Sequence, residues 1–195
     1  MHIGVDIDGV LADLAGHVVQ RINNKHNTTY TKEDIHEYYQ MLNDISLKDE
    51  VKQALLDANF VKSMPMIKDA NKVVQELSKD HIIHIITKRS SYTMKETVGW
   101  LIDHSIPFRS CIISEYPNKP INHIDILIDD NEENIIHAIN KGKKGILFLQ
   151  PYNINSELRF SFSLRKEEEV LCTNNWIGVH GIIKYWNEQN LKKEI

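Results

Sequence analysis

A chain of 195 residues with 42% hydrophobic and 26% charged content suits one globular domain with room for a small inserted subdomain. A formal charge of −4 at pH 7 provides no basic face for a nucleic acid polymer. No apolar run approaches the ~18 residues of a membrane span, no leader-like segment precedes the first strand, and two cysteines, Cys111 and Cys172, are too few for a disulfide framework. A cytoplasmic protein with free thiols, small-molecule partners and no membrane contact is the expectation, and a homodimer is compatible with it.

His2 to Ile7 reads as a buried strand, with Ile3, Val5 and Ile7 alternating. Leu11 to about His26 carries Leu14, Val18, Val19 and Ile22 at helical spacing. Thr31 and Ser46 are placed to cap two further helices. Phe60 to Ile67 contains Pro65 and reads as irregular. No β-rich run interrupts residues 14–66, so the segment is expected to be an all-helical insertion, with 1–13 and 67–195 forming the core.

Regular alternation follows. Ala70 to Lys79 is expected to be helical, Ile82 to Ile86 a strand ending at Thr87, and Tyr92 to His104 helical. Cys111 to Ile113 and Ile124 to Ile128 read as strands, the latter ending at Asp129-Asp130. Asn131 to Asn140 reads as a helix, Gly145 to Leu149 as a strand, and about Trp176 to Leu191 as a closing helix. Residues 150–175 show no clear pattern, and Arg165 to Glu169 reads as a solvated charge run. Strands alternating with helices predict an α/β fold with a doubly wound parallel sheet.

Three predicted strands end in polar chemistry: Asp6/Asp8, Thr87 and Asp129/Asp130. Ligands of open α/β sheets bind at such strand ends. Asp6 and Asp8 are spaced i, i+2 and point to one side of an extended strand. Lys119 lies in the loop before the third strand. A carboxylate can attack phosphorus, but it and the substrate are both anionic. Mg²⁺ would offset that repulsion through Asp6, Asp129 and Asp130, with Asp8 contributing its main-chain carbonyl. The Asp8 side chain is then free for acid and base work, Thr87 can hold a phosphate oxygen, and Lys119 can neutralise charge.

In Asp6-Ile-Asp8-Gly9-Val10, Thr87, Lys119 and Asp129-Asp130, taken in order, the chain resembles the haloacid dehalogenase superfamily over about residues 1–150. The resemblance implies a Rossmann-like core, Mg²⁺, an Asp6 nucleophile, an Asp8 acid/base and a small helical cap after the first strand. Within the superfamily, Asp8-Gly-Val-Leu-Ala-Asp13, Asn59-Phe60, Ile128-Asp-Asp-Asn131 and Trp176 are similar to the 5′(3′)-deoxyribonucleotidases. That implies a phosphomonoesterase for (deoxy)nucleoside monophosphates; a phosphatase for sugar phosphates is the alternative, and a non-enzymatic binding module a more distant one. One departure concerns Lys88-Arg89, which stand where the animal enzymes have a small residue and Pro. The pair either faces solvent, the favoured reading, or binds a second anionic group, with Lys88 the candidate. Phe60, Tyr38 and Tyr39 are candidates to stack on a base or to fill the cap core.

Overall fold

The computed structural model describes residues 1–38, 40–114, 119–154 and 169–193. In chain order the elements are β1 (His2–Val5), α1 (Leu14–His26), β2 (Met41–Leu42), β3 (Ile45–Ser46), α2 (Leu47–Leu55), α3 (Ala58–Ser63) and α4 (Ala70–Leu77). There follow β4 (Ile82–Thr87), α5 (Met94–Asp103), β5 (Ser110–Ile113), β6 (Ile126–Asp129), α6 (Glu132–Asn140), β7 (Lys144–Phe148), β8 (Val170–Thr173) and α7 (Trp176–Lys193). Six strands form one parallel sheet in the order β5-β4-β1-β6-β7-β8, flanked by helices. This is the predicted α/β architecture. Its central strands are nearly continuous runs of buried Ile, Val and Leu, as burial on both faces of a parallel sheet demands.

From β1 the chain winds outward to β4 and β5, then crosses back to β6 and winds the other way. The reversal beside β1 opens a crevice at the carboxyl ends of β1, β4 and β6. Immediately after β1 the backbone folds into a tight turn: the N–H groups of Leu11 and Ala12 both donate to Ile7 O at 2.8 Å. Gly9 takes φ +77°, and a Cβ there would lie 2.2 Å from Asp130 Oδ2, so only glycine fits. This turn delays α1 to Leu14, three residues later than predicted, where Asp13 caps it by accepting from Gly16 N–H.

The segment between α1 and Pro65 leaves and returns through paired backbone. Asp13 N–H donates to Pro65 O and Ile67 N–H to Leu11 O, both at 2.8 Å. Within the segment the all-helical expectation is corrected in two places. A β2–β3 hairpin turns at Asn43-Asp44, with Asn43 at φ +52°, a left-handed conformation that Asn tolerates. The helix capped by Thr31 is a single 3₁₀ turn, because buried Ile35 is drawn into an extended conformation. The irregular reading of Phe60 to Ile67 is also corrected, since α3 runs to Ser63 from an Asp57 cap and stops only before Pro65. Ser46 does cap α2, accepting from Asp49 N–H.

Beyond residue 150 the structure adds β8, paired parallel to β7, which the sequence pattern did not reveal. Of the predicted charge run, residues 165–168 lie outside the described residues. Trp176 starts α7 fully buried and donates its indole N–H to Val10 O at 2.9 Å, pinning the turn after β1. Among the described residues, no helix is long and apolar enough to cross a membrane.

Candidate active site

Asp6 follows β1 directly, and Asp129 and Asp130 stand at the end of β6, the strand hydrogen-bonded to β1. Parallel register therefore brings their carboxylates together at the crevice. Lys119, 2% exposed, sits between them: its Nζ is 2.7 Å from Asp6 Oδ1 and 2.7 Å from Asp129 Oδ2. Thr87 ends β4 on the other side of β1 and is also buried. Its hydroxyl oxygen accepts from Arg89 N–H at 3.2 Å, which leaves the hydroxyl hydrogen free to donate into the crevice. The structure thus gathers Asp6, Asp8, Thr87, Lys119 and Asp130 around one cavity of about 240 Å³.

The electrostatics of this floor follow from counting charges. The carboxylates of Asp6, Asp8, Asp129 and Asp130 face two buried cations, Lys119 and Arg89. The excess is relieved by protonation: burial, then the neighbouring Asp129 and Asp8 charges, push Asp6 up to about 7 against the pull of Lys119. Burial, then the neighbouring Asp129 and Asp6 charges, raise Asp130 far above the carboxylate range. Burial pulls Lys119 down, but Asp129 and Asp6 outweigh it and hold it firmly protonated. A divalent cation would balance the two surplus negative charges. Asp6, Asp129 and Asp130 each offer a carboxylate oxygen, all within 4.8 Å of one another and all buried. An all-oxygen, anionic donor set of this kind suits Mg²⁺. The Asp8 side chain lies outside that cluster, so of the four predicted metal ligands Asp8 could serve only through its main chain.

Asp8 is instead gripped by Arg89, which corrects the solvent-facing reading of that residue. Arg89 is 1% exposed, and its Nε and Nη2 donate to the two Asp8 oxygens at 2.9 and 2.7 Å. Sequence inspection also missed a cradle around Asp130. Tyr152 OH donates to Asp130 Oδ2, Asn153 Nδ2 to Asp130 O at 2.7 Å, and Gln150 Nε2 to Gly9 O at 2.6 Å. Asn134, on α6, donates to both Asp129 oxygens at 3.1 Å. Its place five residues after Asp129, on the inner face of a helix capped by Asn131, was the available signal.

Above the floor, the cavity wall comes from the inserted segment: Leu14, Val18, Ile35, Leu47, Val51 and Leu55, with Tyr38 and Lys48. Tyr38 OH donates to Asp130 O at 2.8 Å, and its ring lies 4.6 Å from that of Tyr152. Tyr38 is therefore the aromatic candidate that reaches the cavity, while Tyr39 lies outside the described residues. Lys88 is exposed at the cavity rim. Phe60 is not brought to the cavity. It is buried on α3 beside a separate groove, against His17 at 4.3 Å and under the Arg21 guanidinium at 5.8 Å. The notion of Phe60 as a base-stacking residue is corrected accordingly: its helix turns it toward α1, away from β1.

A parallel sheet with an Asp-x-Asp at the first strand end, a lysine bridging to an Asp pair on the neighbouring strand, and an insert covering the crevice defines a hydrolase of the haloacid dehalogenase type. The fold agrees: a haloacid dehalogenase-like family hydrolase from Streptococcus pneumoniae superposes with a TM-score of 0.64, covering 95% of this chain and 97% of its own, at 15% identity. Residues 1–176 match the family model described as 5′ nucleotidase, deoxy (Pyrimidine), cytosolic type C protein. The 5′(3′)-deoxyribonucleotidases of Bacillus subtilis (strain 168) and of Bacillus phage SPbeta are each 30% identical over 176 residues, spanning 85% of this chain and 94% of theirs. The chain belongs to this 5′-nucleotidase family and is a phosphoric monoester hydrolase.

Proposed function

We propose that the protein dephosphorylates (deoxy)nucleoside monophosphates, with deoxynucleoside 5′-phosphates as the principal class, through a phosphoaspartyl intermediate on Asp6 and with Mg²⁺ as cofactor. The observation that carries this reading is the Asp6–Lys119–Asp129 arrangement at the paired ends of β1 and β6. Lys119 engages Oδ1 of Asp6, which leaves Oδ2 to attack phosphorus. Thr87 Oγ1–H and Lys119 hold phosphate oxygens. Asp8 gives a proton to the departing ester oxygen and then takes one from the water that hydrolyses the phosphoaspartate. Mg²⁺, held by Asp6, Asp129 and Asp130 with the Asp8 carbonyl, would supply the charge neutralisation that lets two anions meet.

The names of the relatives support a nucleotide, and so does the wall. A polyhydroxylated sugar needs polar partners for each hydroxyl it buries, whereas this wall is mainly aliphatic, with one tyrosine and one lysine. Residues 14–66 are proposed to act as the cap that selects the leaving nucleoside, with Lys88 at the rim available to a further anionic group.

The test is a panel of deoxy- and ribonucleoside monophosphates, sugar phosphates and p-nitrophenyl phosphate, run with Mg²⁺ and with a chelator. Turnover that requires Mg²⁺ and favours deoxynucleotides is expected. Acid-quenched Asp8→Asn protein should carry label from p-nitrophenyl [³²P]phosphate, whose leaving group needs no proton, as an acyl phosphate that hydroxylamine releases. Sugar phosphates turned over better than any nucleotide would overturn the substrate assignment, and absence of the acyl phosphate would overturn the mechanism.

A further inference from the structure

We propose that Arg89 is the positioning residue for Asp8, holding the carboxylate at the angle from which its proton reaches the leaving oxygen. The inference rests on the acid/base role assigned to Asp8 above. The guanidinium is sealed in the protein: its side chain has 0% exposure, and it does not line the substrate cavity. Two of its other donors meet Met64 Sδ at 3.3 Å and Thr97 Oγ1 at 3.4 Å, and Met64 is held in turn by Trp100 Nε1–H donating to its carbonyl at 2.8 Å. The fork is therefore rigid, and it meets both Asp8 oxygens from one side.

A carboxyl group has about four lone-pair directions, and a fork takes only one from each oxygen. The remaining directions can carry the proton toward the cavity. In the transfer step the Asp6 oxygen bonds to phosphorus, the ester P–O bond breaks with its electron pair passing to the ester oxygen, and that oxygen takes the proton of Asp8. Asp8 is left as a carboxylate, which the guanidinium beside it balances. The same residue positions Thr87 through its main-chain N–H.

The discriminating experiment compares kcat/KM, which reports the step up to cleavage of the ester bond, for thymidine 5′-monophosphate and p-nitrophenyl phosphate. The first leaving group needs a proton and the second leaves as a stable phenolate. Arg89→Gln is expected to lower kcat/KM about 10²-fold for the nucleotide but less than about threefold for p-nitrophenyl phosphate. Arg89→Lys should recover part of the loss, and Arg89→Gln should cost nothing further in an Asp8→Asn background. If Arg89→Gln does not fold by circular dichroism, Arg89→Lys carries the comparison, with a smaller loss of the same selectivity. Equal losses on both substrates, or additive losses with Asp8→Asn, would overturn the positioning role. Asp8→Asn that spares the nucleotide reaction would instead overturn the acid/base role of Asp8 itself.

Discussion

The floor and the wall of the cavity are built on opposite principles. Every group on the floor stands at or near a strand end and is fixed by directional bonds: Asp6 by Lys119, Asp8 by Arg89, Asp129 by Lys119 and Asn134, Asp130 by Tyr152. The wall is mainly Leu14, Val18, Ile35, Leu47, Val51 and Leu55, drawn from several pieces of an insert tied to the core at its base. Apolar contact is not directional. The floor therefore dictates which bond breaks, and the wall dictates by shape which molecule carries that bond. Changes to the floor should alter rate by orders of magnitude, and changes to the wall should alter affinity modestly.

The sharpest way to break this contrast is Asp6→Asn, which keeps the shape of the floor and removes the nucleophile. Phosphomonoester turnover is expected to fall by about 10⁴-fold or more; retention of even a tenth of the activity would shift the nucleophile elsewhere. Lys119→Met comes next. It takes the cation from between two buried carboxylates, a change that costs about 3–5 kcal/mol where one partner of a buried pair is lost. Urea denaturation of the metal-free protein measures that loss. Turnover with saturating Mg²⁺ should fall about 10²- to 10³-fold. A stability unchanged by Lys119→Met would show that the two ion pairs do not act on the fold.

The same contrast explains what could be read from the sequence. Floor residues are polar interruptions of Ile-rich strands, and their order along the chain already placed Asp6, Thr87 and Asp129 at one end of the sheet. Arg89 was missed because its partner is 81 positions away and a surface Lys-Arg looks the same in one dimension. Tyr152 and Asn153 were missed because they act from a loop without periodicity. β8 was missed because its four residues follow a polar stretch and are only half-buried, so no apolar run announces them. On the wall, helical spacing marks a buried face without saying which cavity it meets, and so Phe60 could not be told from Tyr38.

Acidity gives a test in which the floor reports on its own cation. Metal-free Asp6 has its pKa at about 7, against an ordinary value of 3.8, chiefly through burial. The folded state then holds a proton that the unfolded chain has released. The associated stabilisation is complete below about pH 4 and is lost as pH rises through about 7. Mg²⁺ binds the ionised carboxylate and must displace that proton. The rise in Tm on adding Mg²⁺ should therefore grow from about pH 5.5 to about pH 8, and titration calorimetry in buffers of different ionisation enthalpy should show proton release. A Mg²⁺-induced rise that is the same at every pH would exclude Asp6 from the metal site.

The smallest effects separate the wall from the neighbouring groove. Ile35→Ala opens the wall and is expected to raise KM for thymidine 5′-monophosphate about tenfold, the equivalent of about 1.4 kcal/mol of lost contact, while inhibition by inorganic phosphate stays unchanged. Phe60→Leu should leave KM and kcat within about twofold, because the ring packs on His17 and Arg21 rather than facing the cavity. Its cost should appear instead in Tm, as the loss of about 1–2 kcal/mol usual for a trimmed core side chain. The two variants are informative as a pair, since both shrink a buried side chain of the insert and only one touches the leaving nucleoside. A KM that rises equally in both would mean that the insert moves as a whole to bring Phe60 over the substrate, and the wall would have to be redrawn to include α3.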